Sequence, residues 1–239
     1  MEAIIGIAFL LLADFLQNRI YLREEQIFEK SHFATEIGAA VSLAPNGVLV
    51  LQALGFDFAR ANASRHNVWE IKDGLTLDTI KLQNLEDIAR ITGSDYWTVH
   101  RVDMHKELLR LALEPEPDGT PPVQIHYGAP VRDIDPVNGR VYLANTVHQA
   151  DLVIGADGIH SAVRACVVPD SVRRAVPTGL CAFRFLLLSE VLQDRPHILS
   201  AMKARRGDST LLADTTAPER HQHMVWYGCR GYAPSLLQG

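Results

Sequence analysis

The sequence predicts an α/β fold in the first part of the chain and a β-rich fold in the rest. Up to about residue 172, apolar segments with strand spacing alternate with segments of helical spacing. Beyond residue 180 the apolar segments indicate successive strands with no helix between them, namely CAFRFLLL, HILSAMK, STLLADT and HMVWYGC. A chain of 239 residues, 47% of them hydrophobic, can bury a large core. We therefore predict two domains, residues 1–172 and residues 173–239.

The first domain begins with a predicted strand, helix and strand. The apolar run AIIGIAFLLLA at 3–13 indicates a buried strand that leads into a helix, and EEQIFEKS at 24–31 indicates the next strand. A helix is then predicted in SLAPNGVLVLQALGF. Its signals are a proline in the first turn, apolar residues on one face and a glycine stop: Pro45, Val48, Leu51, Leu54 and Gly55.

Further elements follow in order. VWEIKDGLTLDTIKL alternates around Asp73 and Gly74, which predicts a β-hairpin. Asp103 is the predicted N-cap of a helix through MHKELLRLALE, which ends in the turn-rich EPEPDGTPP. Two strands are predicted in VQIHY and GRVYLAN, the second entered through Asn138 and Gly139.

The stretch DLVIGADGIHSAVR at 151–164 carries the strongest functional signal. Leu152 to Ile154 read as a buried strand, Gly155 to Gly158 as its tip, and Ser161 as the N-cap of the following helix. Ligands of open α/β sheets collect at the carboxyl ends of strands, where glycine admits a phosphate or ribose and a helix N-terminus favours anions. By itself, the stretch is equally compatible with an ordinary tight strand-to-helix turn.

Charge and cysteine content narrow the class of partner. A net charge of -5 and a pI near 6.0 give no broad basic surface, so we expect no nucleic-acid partner and favour a small-molecule or protein partner. Cys166, Cys181 and Cys229 are widely spaced, which predicts neither a disulfide framework nor a zinc site and favours a reducing, cytoplasmic location. His221 and His223 are interpreted as exposed strand histidines, and no metal site is predicted.

The apolar N-terminus allows a second interpretation. The run at 3–13 is interrupted by Asp14 and is shorter than the roughly 20 residues that span a bilayer. Glu2 precedes the run, whereas a signal peptide begins with basic residues. A buried strand and helix is the favoured interpretation, and a short membrane anchor within residues 3–16 is the alternative.

Several segments, in order, resemble one family. DLVIGADGIHSAVR is similar to the second fingerprint of the FAD-dependent aromatic hydroxylases, the salicylate hydroxylase-like group A flavoprotein monooxygenases. IFEKSHFATEIGAAVSLAPNGVLVLQALGF, VHRVDMHKELLRLA, PTGLCAFRFLLLSEVL and HMVWYGCRG resemble further segments of that family. The resemblance extends from about Gln26 to Gly231. It implies a Rossmann-like FAD-binding fold, incomplete in this chain, with part of a β-rich substrate domain.

The resemblance also implies roles for individual residues. Glu29 corresponds to the acid that holds the adenosine ribose, and a carboxylate suits this role because it accepts hydrogen bonds from both ribose hydroxyls. Arg101 corresponds to a flavin-contacting arginine. The remaining predicted cofactor-binding residues are Ala40, Asp157 and Gly158.

The implied reaction is hydroxylation of a phenolic or polyketide-like aromatic compound by an FAD-dependent monooxygenase that uses NAD(P)H and O2. Arg184 is the candidate for holding a phenolate, because a charged donor in an apolar strand is costly to bury without an anionic partner. Tyr227 is a second candidate, as a hydrogen-bond donor to the substrate oxygen. A homodimer is compatible with the sequence.

Two departures from the family motivate alternatives. Counting back from Glu29 places Gly6, Ala8 and Leu11 at the three glycine positions of the G-x-G-x-x-G turn, so two glycines are missing. The chain also ends at Gly239 without the family's later Gly-Asp motif, as if it were the first part of a longer enzyme. The alternatives are a non-catalytic flavoprotein fragment that acts as a binding or dimerising module and, less favoured, an NAD(P)-dependent dehydrogenase.

Overall fold

The structure, a computed structural model, describes residues 2–5, 25–32, 40–115, 123–168, 176–184, 186–187, 194–214, 216 and 222–230. The chain forms two compact units. The first comprises residues 1–36 and 108–182, and the second comprises residues 37–107 and 183–239. Both units therefore draw on the predicted first domain. The predicted boundary near residue 172 lies outside the described residues and stays a prediction.

The first unit contains a four-stranded parallel sheet of β1 (Glu2–Ile5), β2 (Glu25–Glu29), β8 (Gln124–Tyr127) and β12 (Leu152–Gly155), in the order β12-β1-β2-β8. In register, Ile5 lies opposite both Gly155 and Phe28, and Glu29 lies opposite Tyr127. The carboxyl ends of all four strands therefore share one edge, which is where ligands bind in open α/β sheets. The predicted strands in 3–13, 24–31 and 151–155 are confirmed as strands.

An antiparallel sheet and a short helix complete the first unit. The sheet has the order β11-β10-β9, and the strands are β9 (Asp133–Asp135), β10 (Arg140–Tyr142) and β11 (Val147–Gln149). A 3₁₀ turn, Gly158–His160, precedes helix α4 (Ala162–Val167). The core of this unit joins side chains from both sheets and the helix: Phe28, Ile134, Val141, Ala150 and Val163.

The second unit contains two sheets. One is antiparallel, in the order β3-β7-β4, with β3 (Ala40–Leu43), β4 (Ser64–His66) and β7 (Tyr96–His100). The other has the order β14-β13-β5-β6, with β5 (Val68–Asp73), β6 (Thr79–Asn84), β13 (Ser209–Ala213) and β14 (His223–Tyr227). In this second sheet only the β13–β5 pair is parallel. The predicted hairpin is confirmed as β5 and β6, and Asp73 accepts backbone hydrogen bonds within its loop.

The helices of the second unit follow ordinary end signals. Helix α1 (Pro45–Ala53) begins at the predicted proline and buries Val48 and Leu51, as its apolar spacing requires. Helix α2 (Leu85–Thr92) begins after Asn84, whose side chain accepts from Glu86 N, and ends at a left-handed glycine. Helix α3 (Arg101–Leu113) crosses from the second unit into the first, and helix α5 (Pro196–Lys203) lies in the second.

Four predictions about local structure are wrong. Asp103 is not an N-cap, because α3 begins two residues earlier and places it inside the first turn. HILSAMK forms most of helix α5 instead of a strand, since Pro196 starts a helix and buried Met202 falls at a helical interval from partly exposed Ile198. Cys181–Arg184 is described but contains no strand. Leu152, expected to be buried, is 44% exposed.

The three glycine-turn positions, Gly6, Ala8 and Leu11, lie outside the described residues. The rest of the 3–16 run after Ile5 also lies outside them, and so does His221. Within the part of the chain that the structure describes, no helix combines the length and the apolar character that crossing a membrane requires.

Candidate functional site

The acid that follows β12 is tied to the helix after it. Asp157 Oδ2 accepts the backbone N–H of Ala162 at 2.6 Å and that of Val163 at 3.3 Å. Ser161 is the N-cap as predicted, and its Oγ accepts the N–H of Arg164 at 2.9 Å. Together these two side chains satisfy the N–H groups of the first turn of α4, which would otherwise have no partner within the helix.

The charge of Asp157 is stabilised by these contacts. Burial alone would raise the pKa of this carboxyl, but the Ser161 side chain and the backbone N–H groups of Val163 and Ala162 outweigh burial and hold the pKa below its ordinary value. The second oxygen, Oδ1, is buried and has no hydrogen-bond partner among the described residues. An anionic oxygen in this position is suited to accept a hydrogen bond from a ligand hydroxyl or N–H.

The two glycines of the tip serve different purposes. A Cβ at Gly155 would lie 2.5 Å from Val163 Cβ, so glycine here allows α4 to pack against the end of β12. Gly158 has φ +77°, a conformation that favours glycine, and a Cβ there would meet no atom within 4 Å. The chain beside Asp157 is therefore open to a ligand's approach.

Glu29 ends β2 at the same edge of the parallel sheet. Its Oε1 accepts the N–H of Ser31 at 2.7 Å, and its backbone carbonyl accepts the N–H of Ala129 at 2.9 Å. Tyr127, opposite Glu29 in register, has its pKa raised first by burial and then by the negative charge of Glu29. The sequence did not indicate Tyr127 as a neighbour of Glu29, because parallel register between distant strands has no local signal.

The second unit carries the predicted residues Ala40, Arg101, Arg184 and Tyr227. Arg101 is the first residue of α3 and its side chain is exposed. Arg184 is also exposed and lies outside any strand, so the argument from a charge in a buried strand does not hold for it. Its predicted role stays a prediction that now depends on the family resemblance.

Tyr227 and Ala40 are in direct contact. Tyr227 Oη donates to the backbone carbonyl of Ala40 at 3.0 Å. A phenol has one proton, so in this arrangement the hydroxyl can accept a hydrogen bond from a ligand but is already committed as a donor. Nothing local in the sequence indicates this contact, which joins residues 187 positions apart.

Sequence reasoning missed a buried carboxylate on β5. Glu70 is fully buried, and its two oxygens accept from Thr79 Oγ1 at 2.7 Å and from Arg206 N at 2.9 Å. Burial alone would raise the pKa of Glu70, but these hydrogen bonds and the positive charge of Lys72 lower it. Reciprocally, Asp208 Oδ2 accepts the N–H of Val68 at 3.0 Å. The Arg-Gly-Asp sequence at 206–208 is therefore a structural turn, anchored by Glu70 and Asp208.

A buried serine and histidine also lie together in this unit. Ser209 Oγ is 2.7 Å from His66 Nδ1, and Thr98 Oγ1 is 3.3 Å from the same nitrogen. Burial lowers the pKa of His66, an effect that the negative charge of Asp208 opposes. All three side chains are buried, so the arrangement serves packing of the unit and presents no accessible nucleophile.

Metal binding gains no support from the described ranges. Among the residues with assigned structure, no group of three or more histidine, cysteine, aspartate or glutamate side chains is arranged to hold an ion. His223 is exposed on β14.

The geometry at 151–164 fits a dinucleotide cofactor. A parallel sheet places Glu29, Gly155 and the Asp157 tip at its carboxyl edge. Among the described residues, a buried carboxylate oxygen of Asp157 has no hydrogen-bond partner, and the space beside Gly158 is open. A carboxylate that accepts from hydroxyl groups matches the ribose of a dinucleotide such as FAD. The fold and this edge of the sheet are typical of dinucleotide-binding α/β proteins.

Comparison with known proteins makes the class more specific. The chain is 31% identical over 214 residues to hispidin-3-hydroxylase of Neonothopanus nambi, covering 86% of the chain and 50% of that protein. It is 31% identical over 202 residues to 3-amino-4-hydroxybenzoate 2-monooxygenase of Streptomyces cremeus, covering 81% and 48%. The chain is thus a homologue of the FAD-dependent aromatic hydroxylases, which confirms the resemblance. No protein-family model matches it.

A solved structure of an FAD-bound protein is similar in fold to this chain. The chain is 27% identical to a variant of HpxO from Klebsiella pneumoniae complexed with FAD, with a TM-score of 0.55, covering 70% of this chain and 42% of that one. The chain spans about half the length of the curated relatives it matches. The activity of a whole relative therefore cannot be carried over directly.

Proposed function

We propose that this chain provides FAD-binding and substrate-binding elements of a monooxygenase that hydroxylates a phenolic or polyketide-like aromatic molecule with NAD(P)H and O2. FAD, when bound, supplies the redox chemistry and the activation of O2. The residues of the chain bind and orient it. The observation that carries the proposal is the Asp157 tip, where a buried carboxylate oxygen without a described partner stands at the carboxyl edge of a parallel sheet.

In the first unit, the proposed ligands are Glu29, Asp157 and Gly158. The Glu29 carboxylate holds the adenosine ribose by accepting from its hydroxyls. Asp157 Oδ1 accepts a further hydrogen bond from the cofactor, while Oδ2 keeps the first turn of α4 in place. Because α4 is anchored through this same side chain, the acceptor has a fixed position relative to the sheet.

In the second unit, Arg101 contacts the flavin, with Ala40 as a further cofactor-binding position. Arg184 binds the phenolate of the substrate, for which an exposed guanidinium is available without a desolvation cost in the free protein. Tyr227 donates to the substrate oxygen, which requires its hydroxyl proton to leave the carbonyl of Ala40, where it lies in the arrangement described.

The test is retention of flavin. The visible spectrum of the purified chain is recorded before and after incubation with excess FAD and desalting. We expect retained flavin bands, weakened by Glu29→Ala and by Arg101→Ala without loss of folding. The control is Glu86→Ala, which removes an exposed carboxylate from the first turn of α2 and changes none of the proposed ligands. Unchanged FAD affinity in both variants would refute the assigned sites.

A colourless wild-type protein would favour the non-catalytic binding module instead. If FAD is retained, O2 consumption that requires both NAD(P)H and a phenol tests the reaction. Hydride transfer in the absence of any flavin would favour a dehydrogenase. The free state of Cys166, Cys181 and Cys229 supports a reducing, cytoplasmic location, which belongs to the proposal.

A further inference from the structure

The end of β14 is joined to two segments that are distant in sequence. Tyr227 Oη donates to the carbonyl of Ala40 at 3.0 Å. Three residues later, Arg230 Nε donates to Asp103 Oδ2 at 2.7 Å and Nη2 donates to Asp103 Oδ1 at 3.0 Å. We call Tyr227, Arg230, Ala40, His100 and Asp103 the β14 clasp. All five residues belong to the second unit.

The two ends of the clasp meet on one rung of the antiparallel sheet. Ala40 on β3 lies opposite His100 on β7. Arg230 Nη2 lies 3.2 Å from His100 Nδ1, and the backbone N–H of Val102 is directed at the same nitrogen at 3.3 Å. Since a guanidinium can only donate, Nδ1 is an acceptor and carries no proton in this arrangement. Arg230 thus holds both the residue before α3 and the first turn of α3.

The contact between Arg230 and Asp103 holds the two side chains in a defined geometry. A guanidinium with two donors on one carboxylate is more directional than a lysine ammonium would be. Asp103 is largely buried, whereas the side chain of Arg230 is 51% exposed. Arg230 also has φ +59°, a conformation unfavourable for a side chain of this size, which persists where surrounding contacts hold it.

In the sequence, Arg101 lies between His100 and Asp103, the two residues that Arg230 contacts. It follows His100 directly and precedes Asp103 by two positions, at the first helical residue of α3. A cation at a helix N-terminus is disfavoured by the helix dipole, so the position of Arg101 is not explained by helix stability. The anchored first turn instead limits the directions in which its side chain can extend.

We propose that Arg230 is a positioning residue that fixes the start of α3 through Asp103 and His100 and so orients Arg101 toward the flavin, with Tyr227 fixing Ala40 in the same way. This inference rests on the proposed function, because Arg101 matters to catalysis only if the chain binds FAD. Its consequence is that the end of β14 controls the geometry of the proposed flavin contacts within the second unit.

The experiment compares FAD and ADP binding to the whole chain by titration, for wild type, Arg230→Ala, Arg230→Lys and Tyr227→Phe. We expect Arg230→Ala to weaken FAD binding about tenfold, or about 1.4 kcal/mol. Arg230→Lys should recover part of this loss, because it keeps the charge but not the two-donor geometry. ADP binding should not change, because Glu29, the residue assigned to the adenosine ribose, belongs to the first unit and the clasp does not. Tyr227→Phe should have a smaller effect on FAD in the same direction.

The matched control is Arg65→Ala, which removes a half-exposed arginine from a 2.8 Å ion pair with Asp95 in the same unit. It should leave FAD affinity unchanged. Thermal melting establishes that each variant is folded at the temperature of titration. If Arg230→Ala does not fold, Asp103→Asn removes the charge on the other side of the ion pair and should produce the same loss of FAD affinity.

The outcomes distinguish the two proposals. If wild type binds FAD and both Arg230→Ala and Asp103→Asn bind it equally well, the positioning role is refuted and the proposed function stands. A fall in melting temperature with unchanged FAD affinity would likewise show that the clasp is only structural. If wild type binds no FAD, the proposed function fails and the positioning role fails with it.

Discussion

Asp157 Oδ2 lies 2.6 Å from the backbone nitrogen of Ala162, so the acid after β12 fastens the helix that follows it. This contact belongs to the same carboxylate as Oδ1, which has no hydrogen-bond partner in the part of the chain that the structure describes. The side chain therefore has two functions, one toward the fold and one toward a ligand. Both depend on its being ionised, since only the carboxylate presents acceptors at both oxygens.

The Asp157 contact predicts a pH dependence of stability. Because the folded-state pKa is below its ordinary value of about 3.9, the stabilisation is present above that value and is lost as the pH falls through the folded pKa. Asp157→Asn should remove this contribution and flatten the decline in unfolding free energy below about pH 4. Urea denaturation between pH 6 and pH 3 measures it. The control Asp78→Asn changes an exposed loop carboxylate; an equal flattening there would contradict the assignment.

We predict that a side chain at position 155 disturbs packing and that a second substitution partly relieves the disturbance. Gly155→Ala places a Cβ 2.5 Å from Val163 Cβ and should destabilise the first unit by about 1–3 kcal/mol. The second change Val163→Ala removes the γ-methyls, which that Cβ would meet at 2.7 and 2.9 Å, but keeps Val163 Cβ, so it should recover only part of that loss. The unfolding free energies of the two single variants and the double variant form the test. Strictly additive losses would show that the two residues do not meet.

The matched control for Gly155 is Gly47→Ala. Gly47 lies inside α1 and a Cβ there would meet nothing within 4 Å. Since glycine is a poor helix former, this change should stabilise the protein by roughly 0.5–1 kcal/mol.

We predict that removing the buried charge of Glu70 lowers the free energy of unfolding substantially. Glu70→Gln keeps the size of the side chain but weakens the acceptors for Thr79 and Arg206 and leaves Lys72 without its counter-charge. We expect the unfolding free energy to fall by about 2 kcal/mol or more. Chemical denaturation measures the loss, with the helix-surface change Glu86→Gln as the control. Similar effects of both changes would show that burial of Glu70 is unimportant.

The two glycines that are missing from the predicted G-x-G-x-x-G turn lead to a prediction about FAD affinity. Ala8→Gly combined with Leu11→Gly restores the pattern G-x-G-x-x-G and should strengthen FAD binding, because a Cβ no longer obstructs the approach of the pyrophosphate. FAD titration of the double variant against wild type measures the gain. No change in affinity would favour an N-terminus unrelated to the family's turn.

Local signals in the sequence were sufficient where the structure depends on neighbouring residues. Pro45 with the apolar spacing of Val48 and Leu51 located α1, Asp73 and Gly74 located a hairpin, and Ser161 located the N-cap of α4. Each of these depends on backbone geometry and on hydrogen bonds within a few residues.

The same signals failed where two local patterns competed. HILSAMK contains apolar residues at intervals that suit a strand or a helix, and Pro196 together with burial of Met202 decided for the helix. Asp103 had the chemistry of an N-cap, but the helix began at Arg101 and the carboxylate bound Arg230 instead. In both cases contacts from outside the segment determined the result.

The sequence by itself determined the order of most elements, the Asp157 tip with its capped helix, and the family to which those motifs are similar. Only the tertiary structure decided that Glu29 stands beside Tyr127, that Tyr227 is bound to Ala40, and that Arg230 holds Asp103. The reason is physical. Propensities and caps act over a few residues, whereas parallel register and long-range ion pairs join residues far apart in the sequence, such as Asp103 and Arg230 at a separation of 127.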